Sequence, residues 1–291
     1  AVLTSDGRDF TAHYYGEAGS KDKNELSAES EAVRIKEDCF GKKFVCTEIK
    51  KGNRTKSPAP PFITSTLQQE ASKKRNFQSQ RTMRVAQELY EGVNLGHENG
   101  GVQGLITYMR TDSLRVAAEA QSAALEYIAE NYGRDYCPEK PRVYRTKASA
   151  QDAHEAIRPS KVALDPEKIK KMLTPDQYKL YKLIWRRFLA SQMSSAVLST
   201  VNAEFACGSH IFKSSGYTVK FRGYMALYEE TSDTADTERE VVLPPVEKDA
   251  ELNARDIIPE QHFTEPPPRY TEASLIKFLE EKGIGRPSTY T

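Results

Sequence analysis

The alternation of hydrophobic and polar positions changes its period twice along this chain of 291 residues. In the first 63 residues, and again from Ala196, apolar residues recur mainly at every second position, which predicts strands. Between Thr64 and Ala190 they recur at every third and fourth position, which predicts helices. The order β, α, β therefore indicates an α+β multidomain protein. In this arrangement a helical domain is inserted into a β domain whose two halves are distant in sequence.

The strand predictions rest on short alternating runs that are separated by turn residues. Asp6-Gly7 is typical of a hairpin turn, because both residues tolerate a positive φ. The turn joins Val2–Thr4 to Phe10–Tyr15. The further predicted strands are Phe44–Lys51, Val197–Cys207, His210–Phe212, Tyr217–Tyr228 and Glu251–Phe263. We expect a basic, proline-containing linker over residues 52–61 and an acidic loop over residues 231–240.

The helix predictions combine the apolar period with signals for helix ends. Thr64 or Ser65 is expected to cap the second helix and Thr271 the last one, while Ser149 and Asp152 form a capping-box start. The predicted helices are Ser27–Cys39, Leu67–Arg75, Ser79–Glu91, Ser113–Tyr132, one that begins at Ser149, Leu173–Ala190 and Glu272–Lys282.

Composition places the chain among ordinary soluble globular proteins, with 29% charged and 9% aromatic residues. No apolar run is long enough to cross a bilayer, and the first residues lack a signal-peptide pattern. The net charge of +1 hides a split, because residues 41–60 and 161–190 are basic whereas residues 225–265 are acidic. Basic tracts suit phosphate backbones, and the acidic stretch should face away from nucleic acid or towards protein. Solvated surface charge is the competing interpretation.

The cysteines are scattered along the chain without a C-x-x-C pair. They are Cys39, Cys46, Cys137 and Cys207. Their spacing predicts buried thiols in a reducing compartment rather than a zinc site or a disulfide framework.

One stretch, GLITYMRTDS at residues 104–113, combines groups that suit phosphate chemistry. Tyr108 and Arg110 lie two residues apart, and Asp112 or Ser113 is expected to cap a following helix. A phenol and a guanidinium beside a helix N-terminus are the groups of an anion site. The phenol is a candidate nucleophile towards a phosphate, and the guanidinium would stabilise the charge that develops. From composition alone, a tyrosine that serves only in packing is the competing interpretation.

Four segments carry a resemblance to a known family. GLITYMRTDS at residues 104–113 resembles the active-site segment of bacterial type IA DNA topoisomerases. PPFITSTLQ at residues 60–68, QDAHEAIRPS at 151–160 and GIGRPST at 283–289 resemble further segments of that family in the same order. The methionine within TYMRTDS favours the bacterial relaxing branch, with a decatenating relative or a reverse gyrase module as the alternative.

The resemblance implies a strand-rich arch that carries an inserted all-α domain with the nucleophile. On this basis, residues 1–63 and 195–263 form the arch, and residues 64–194 form the helical domain with the active-site tyrosine. Residues 264–291 would be the truncated start of the base domain, which contains the DNA groove.

The resemblance also implies a reaction. Tyr108 would attack a phosphodiester of single-stranded DNA, hold the 5′-phosphate covalently and release a 3′-hydroxyl. The aryl phosphodiester keeps the energy of the broken bond, so strand passage and resealing need no ATP, and the sequence contains no P-loop pattern. The parent enzyme would relax negatively supercoiled DNA. We expect a monomer of the bacterial cytoplasm, associated with the nucleoid, whose partner is DNA, with no membrane and no nucleotide involved.

The family roles extend to neighbouring residues. Arg110 would hold the scissile phosphate. His154 and Arg158, four residues apart on the helix predicted from Ser149, would project from one face towards the adjacent phosphate. Asp112 is expected to orient His154 or Arg110, with a plain helix cap as the alternative.

Further residues are candidates for contact with DNA. The resemblance assigns this role to Thr111, Asp112, Ser113, Arg158, Arg286, Ser288 and Thr289. Thr64, Ser65 and Gln68 either hydrogen-bond to DNA or serve as caps and core-edge residues. Three aromatic residues either stack bases or, as their helical spacing favours, pack in the core: Tyr178, Tyr181 and Trp185.

Members of this family hold Mg²⁺ in a Toprim domain that precedes the arch. Because the chain starts at the arch and ends inside the GRPST match, we expect a fragment with the nucleophile but without the metal site. We therefore expect no cofactor in this chain and no turnover by the chain alone. Asp233, Asp236 and Glu238 are interpreted as solvent-exposed. The alternative is that the chain acts only as a single-stranded DNA-binding or structural module.

Overall fold

The computed structural model describes residues 1–19, 23–145, 154–229 and 242–290. The helices are α1 (Glu29–Cys39), α2 (Thr64–Arg75), α3 (Ser79–Glu91), α4 (Ala118–Asn131), α5 (Pro166–Ile169), α6 (Pro175–Gln192) and α7 (Glu272–Glu281). The strands are β1 (Val2–Ser5), β2 (Arg8–Thr11), β3 (His13–Glu17), β4 (Lys43–Lys56), β5 (Val93–Asn94), β6 (Val102–Gln103), β7 (Ala196–Cys207), β8 (His210–Phe221) and β9 (Glu251–Asp256). Within the described ranges, no helix combines the length and the apolar character that a membrane crossing requires.

The first of two compact units is built on a seven-stranded sheet and comprises Ala1–Thr55, Val197–Phe221 and Glu238–Pro267. Its strand order is β2-β1-β9-β4-β7-β8-β3. The pairs β1–β2, β1–β9, β3–β8, β4–β9 and β7–β8 are all antiparallel. Because β9 lies between β1 and β4, the sheet needs strands from both halves of the sequence. The prediction of an α+β chain with a divided β domain is therefore confirmed.

Turn chemistry and aromatic packing explain this sheet. The predicted hairpin turn has φ +47° at Asp6 and +70° at Gly7, the positive values that a two-residue turn between twisted strands requires. On the core side, the rings of Phe44 and Phe212 meet edge to face at 5.1 Å. Phe10 and Phe205 lie 5.5 Å apart, so β2, β4, β7 and β8 contribute to one apolar core.

The second unit is mainly helical and comprises Lys56–Ala196, Arg222–Thr237 and Pro268–Thr291. Its core is formed largely by apolar side chains of α2, α3, α4 and α6. The last 24 residues of the chain thus pack with the helical unit, with α7 against α2. The assignment of these parts to an arch, a tyrosine domain and a base domain stays a prediction.

The aromatic residues of α6 serve in packing rather than in base stacking. Tyr181 is fully buried and its hydroxyl donates to the carbonyl of Leu164 at 2.7 Å. Trp185 is 4% exposed, and its ring N–H donates to the carbonyl of Val162 at 3.0 Å. The hydroxyl of the half-buried Tyr178 donates to a carboxylate on α5. All three rings are therefore engaged within the helical unit.

The helix expected from Ser113 begins at Ala118 instead, and neither Asp112 nor Ser113 caps it. The reason is local hydrogen bonding. The hydroxyl of Thr111 accepts from the backbone N–H of Ser113 at 3.0 Å, and the hydroxyl of Ser113 accepts from the N–H of Arg115 at 3.2 Å. Such bonds offer the backbone an alternative to a helical turn.

The helix expected to begin at Ser149 does not carry His154 and Arg158. Residues 146–153 lie outside the described residues, and residues 154–160 form no helix. Ile157 bridges Phe62 and Pro159 bridges Ile106, both in antiparallel fashion. The helical conformation is disfavoured at Arg158 because this residue precedes Pro159. The prediction that His154 and Arg158 project from one helix face is therefore wrong.

Several other boundaries differ from the predictions. The strands expected at His210–Phe212 and Tyr217–Tyr228 form one strand, β8, because Ser214, Ser215 and Gly216 all pair with β7. Strand β9 ends at Asp256, before the predicted end at Phe263. Strand β4 continues into the predicted linker as far as Lys56. Helix α2 begins at Thr64, and its cap is Ile63. The predicted acidic loop at 231–240, with Asp233, Asp236 and Glu238, lies outside the described residues.

Candidate active site

The segment around Tyr108 is neither helix nor strand, and it is fixed on one side by the first residue of α2. The backbone N–H of Thr64 donates to the carbonyl of Thr111 at 3.0 Å. The Thr64 hydroxyl accepts from the N–H of Thr111 at 2.9 Å and lies 2.8 Å from the carbonyl oxygen of Met109. Since Thr64 is fully buried, its hydroxyl satisfies backbone groups that would otherwise lack partners. It acts neither as a helix cap nor as a surface contact.

On its other side the segment pairs with residues 156–160. The hydroxyl of Thr107 donates to the carbonyl of Ala156 at 2.7 Å and accepts from the N–H of Arg158 at 3.0 Å. The N–H of Thr107 donates to the carbonyl of Arg158 at 3.0 Å. The motif segments at 60–68, 104–113 and 154–160 therefore meet through backbone and threonine hydrogen bonds.

This arrangement places the ring of Tyr108 between two other rings. The imidazole of His154 lies at 5.2 Å between centroids with an interplanar angle of 38°. Tyr90, near the end of α3, meets Tyr108 edge to face at 5.4 Å and 68°. Tyr108 is half-buried, and among the described residues no group hydrogen-bonds to its hydroxyl. These two ring contacts fix the position of the phenol ring.

Arg110 is exposed and lines a cleft of about 630 Å³ against α3. Arg84, Glu88 and Glu91 line the same cleft. Tyr90 also belongs to α3, so the Tyr108 ring and the Arg110 side chain both adjoin this helix. The cleft contains charges of both signs, and Arg110 reaches solvent from it.

Arg158 is tied to a carboxylate in this structure. Its side chain is 12% exposed, and its guanidinium bonds Glu155 through Nε at 2.7 Å and Nη2 at 2.6 Å. Its Nη1 donates to the carbonyl of Pro159 at 3.0 Å. A DNA phosphate would have to compete with Glu155 for this guanidinium.

Thr111 and Ser113, which were assigned to DNA contact, face the interior. They are 2% and 0% exposed, and their hydroxyls accept hydrogen bonds from nearby backbone N–H groups. In this structure both hydroxyls brace the loop after Tyr108.

Asp112 and Arg286 line a second cavity, of about 410 Å³. It lies at the start of α2, where Ser65 forms part of its wall. Ser288 and Thr289 are exposed. The Thr289 hydroxyl accepts from the N–H of Arg286 at 2.8 Å, so it stabilises the turn that presents Arg286. Gln68, on the same helix as Ser65, is fully buried.

Other tyrosines of the helical unit are kept protonated. Burial raises the pKa of Tyr144 to about 12, and the Tyr144 hydroxyl donates to the carbonyl of Ser191 at 2.7 Å. Burial also raises the pKa values of Tyr181 and Tyr228. A desolvated phenol that donates to a protein acceptor is a poor nucleophile, so these three residues are poor candidates for the nucleophile.

Neither a metal cluster nor a disulfide is present in the described ranges. No group of three or more His, Cys, Asp or Glu residues there has the arrangement of a metal site. Cys39, Cys46 and Cys207 are buried free thiols and Cys137 is a half-buried one.

Comparison with known proteins identifies the class to which this fold and site belong. The profile of the DNA topoisomerase family matches residues 5–291. This chain therefore belongs to the DNA topoisomerase family, in its bacterial type IA group. Full-length topoisomerase I from Thermotoga maritima, solved in a monoclinic crystal form, is similar, with 37% sequence identity and a TM-score of 0.78. The match covers 99% of this chain and 44% of that one, so this chain spans less than half the length of that relative.

Two residues of the site were not singled out from the sequence. Thr107 joins two segments through its hydroxyl, and Tyr90 packs on Tyr108. Tyr90 lies within the predicted helix Ser79–Glu91. Neither contact has a sequence signal of its own, because both depend on how separate segments meet.

Proposed function

We propose that this chain supplies the nucleophile of an ATP-independent, single-strand topoisomerase reaction. The observation that carries the proposal is the ring of Tyr108, held between Tyr90 and His154 where three family motifs meet. Membership in the DNA topoisomerase family supplies the reaction class and DNA as the partner.

In the proposed step, the Tyr108 oxygen attacks a phosphorus atom of single-stranded DNA. The phenol loses its proton, a P–Oη bond forms and the P–O3′ bond breaks, which leaves a 5′-phosphotyrosine and a 3′-hydroxyl. Because one phosphodiester replaces another, the reverse attack by the 3′-hydroxyl reseals the strand without ATP.

Arg110 and His154 would assist by charge. The exposed guanidinium of Arg110 can bind the scissile phosphate and stabilise the charge of the transition state, a contribution typically worth about 3 kcal/mol. A protonated imidazole beside the Tyr108 ring would stabilise the forming phenolate. Asp112 would orient one of these groups, and Arg158 would bind a neighbouring phosphate after leaving Glu155.

Magnesium is assigned to a Toprim domain of the parent enzyme. The described residues of this chain offer no matching cluster, and no step above is routed through a metal. For the whole protein we propose relaxation of negatively supercoiled DNA by a monomer, without a nucleotide cofactor; decatenation is the alternative. For this chain alone we propose that cleavage requires the Toprim part.

A second candidate function is binding without chemistry. Arg158 is paired with Glu155 and the hydroxyls of Thr111 and Ser113 are internal. Because these groups are engaged within the protein, they favour a chain that serves, when isolated, as a structural module without chemistry. Binding of single-stranded DNA would then depend on other residues, such as the exposed Arg110. Formation of a covalent adduct with DNA distinguishes the two functions.

The test is trapping of a covalent adduct on a 3′-labelled single-stranded oligonucleotide with Mg²⁺. The chain is assayed alone and with the Toprim half of a family member added in trans. We expect an adduct that resists denaturation only when the Toprim half is present. Tyr108→Phe should abolish the adduct, whereas Tyr90→Phe, the matched change in the neighbouring ring, should retain it.

The alternatives give distinct outcomes. An adduct that persists in Tyr108→Phe would move the nucleophile elsewhere. An adduct from the chain alone would refute the requirement for the Toprim part. Binding of the oligonucleotide without an adduct in either mixture would favour the binding module.

A further inference from the structure

A buried cation lies in the core of the helical unit. Arg187 belongs to α6 and is 3% exposed. Its guanidinium carbon lies 4.8 Å from the centroid of the Phe62 ring and 5.3 Å from that of the Tyr228 ring. Burial of a charge costs free energy, and an apolar side chain of similar volume often gives equal or greater stability at such a position. Stability is therefore a weak explanation for an arginine here.

The segment in front of α2 depends on hydrogen-bond donors from side chains. Three of its residues, Pro58, Pro60 and Pro61, have no backbone N–H and cannot complete a regular hydrogen-bond ladder. The Nε of Arg187 donates to the carbonyl of Pro60 at 2.6 Å. The same guanidinium lies over the ring of Phe62, two residues further along the chain. One side chain thus fixes both the backbone and the aromatic ring of this segment.

The position of Arg187 is itself set by a buried polar network. Its Nη1 lies 3.5 Å from the hydroxyl of Tyr228, and that hydroxyl donates to Glu70 at 2.6 Å. Glu70 is 5% exposed and forms an ion pair with Lys74 at 3.3 Å. Buried polar networks of this kind restrict a core to one arrangement. The guanidinium therefore holds the segment in front of α2 from a fixed position.

Two hydrogen bonds connect this segment to the site around Tyr108. The carbonyl of Phe62 accepts from the N–H of Ile157 at 2.8 Å, three residues after His154. The hydroxyl of Thr64 donates at 2.8 Å to the carbonyl of the residue that follows Tyr108. Because Phe62 and Thr64 are only two residues apart, a shift of this segment would displace the supports of both Tyr108 and His154.

We propose that Arg187 is a positioning residue of the cleavage reaction, which holds Phe62 in place and thereby sets the distance between Tyr108 and His154. The inference deepens the proposed function and rests on Tyr108 as the nucleophile. Arg187 acts through the segment in front of α2 and needs no contact with DNA. A displacement of about 1 Å at a reacting group can lower a rate about a hundredfold, so this support affects the rate even though it is remote.

Arg187→Met tests the role, because methionine is unbranched and apolar and keeps much of the packing without the charge or the donors. With the Toprim half in trans, the affinity for the oligonucleotide is measured by anisotropy, and the rate of adduct formation is measured in a single turnover. We expect the rate to fall at least about tenfold while the affinity stays within about twofold of the wild type. Arg187→Lys keeps a donor for the carbonyl of Pro60 and should recover part of the rate. A wild-type rate in Arg187→Met would overturn the proposal.

The matched control is Arg142→Met. Arg142 is half-buried, and its Nε also donates to a carbonyl, that of Met193, at 2.7 Å. This carbonyl lies outside the three motif segments, so we expect the control variant to keep the wild-type rate. An equal loss of rate in both variants would mean that the loss of any such arginine slows the reaction, and the proposal would be wrong.

A double variant tests whether Arg187 acts through Phe62. Phe62→Leu removes the ring that the guanidinium contacts. If both residues belong to one line of support, their effects on the rate are not additive. We expect Arg187→Met combined with Phe62→Leu to be no slower than the slower single variant. Losses of rate that multiply in the double variant would overturn the proposal.

Hydrogen exchange provides a readout that needs no cleavage. The amide of Ile157 bonds to Phe62, and the amide of Thr111 bonds to the hydroxyl of Thr64. In the chain alone, we expect both amides to exchange at least about tenfold faster in Arg187→Met, while the amides of α4 keep their wild-type rates. Unchanged exchange at both amides would overturn the proposal.

This readout separates the two proposals. Faster exchange in Arg187→Met, together with no Tyr108 adduct from the wild-type chain, would count against the proposed function alone. Unchanged exchange, together with a Tyr108 adduct from the wild-type chain, would count against the role of Arg187 alone.

Discussion

The ring of Tyr108 and the imidazole of His154 lie 5.2 Å apart between centroids, inclined by 38°. They belong to distant segments, which the hydroxyl of Thr107 joins by bonding both Ala156 and Arg158. His154 thus faces the phenol because the pairing of these two segments places it there, and not because it shares a helix with Arg158.

The first prediction separates the charge of His154 from its packing. His154→Phe keeps an aromatic ring against Tyr108 but removes the group that can be protonated. We expect the rate of adduct formation, measured with the Toprim half in trans, to fall about tenfold or more. His154→Ala should reduce the rate of adduct formation by at least the same factor. A His154→Phe variant with the wild-type rate would show that only the ring contact matters.

The second prediction concerns the bracing hydroxyl of Thr107. Thr107→Val leaves the carbonyl of Ala156 and the N–H of Arg158 without this partner, at a cost of about 2 kcal/mol in the free energy of unfolding. Unfolding in urea is followed by the fluorescence of Trp185. This residue is the single tryptophan of the chain and lies in the hydrophobic core of the helical unit. Thr107→Ser keeps the hydroxyl and should recover most of the loss. Equal stability of the valine and serine variants would contradict the role given to the hydroxyl.

The sequence predicted the elements whose signals are local. The Asp6-Gly7 turn has the expected positive φ values, α3 has the predicted bounds Ser79–Glu91, and Thr271 caps α7. Each of these features depends on residues only a few positions apart, so a short stretch of sequence is enough to predict it.

The sequence predictions were wrong where other hydrogen bonds replaced those of a helix, through a short local bond at Ser113 and through pairing with a distant segment at His154. Ser113 resembles a helix cap, but its hydroxyl bonds to the N–H of Arg115 and the helix starts at Ala118. His154 resembles a helical residue, but the pairing of Ile157 with Phe62 keeps the segment out of a helix. The family motifs grouped Tyr108 with His154, whose rings lie 5.2 Å apart between centroids in the structure, whereas the apolar period contains no signal for such a contact.

The third prediction concerns the ion pair of Arg158. Glu155→Gln keeps the shape of the side chain but removes the charge that holds the guanidinium. Without this ion pair, the guanidinium of Arg158 can bind a DNA phosphate. We therefore expect severalfold tighter binding of single-stranded DNA and a steeper dependence of the affinity on salt concentration. Glu126→Gln, an acid-to-amide change on α4, is the control for net charge. An equal gain in both variants would mean that only the overall charge has changed.

The fourth prediction concerns stability at alkaline pH. Burial raises the pKa of Tyr144 to about 12 and also raises those of Tyr181 and Tyr228. In the unfolded chain a tyrosine loses its proton near pH 10. Above that pH the folded state binds more protons than the unfolded state, so the free energy of unfolding falls as pH rises. The stabilisation that the protonated Tyr144 phenol contributes is fully present below pH 10 and decreases between pH 10 and about 12.

Tyr144→Phe tests this assignment, because phenylalanine has no proton to lose. The free energy of unfolding is measured in urea from pH 8 to pH 11 by the fluorescence of Trp185. We expect the variant to start less stable, since its hydrogen bond to Ser191 is gone, and to lose less stability than the wild type above pH 10. Tyr270→Phe, at a site that is 61% exposed, should follow the wild-type curve. Parallel curves for Tyr144→Phe and the wild type would mean that the Tyr144 phenol has the same pKa in the folded and the unfolded chain. Burial would then not be the cause of the loss of stability at alkaline pH.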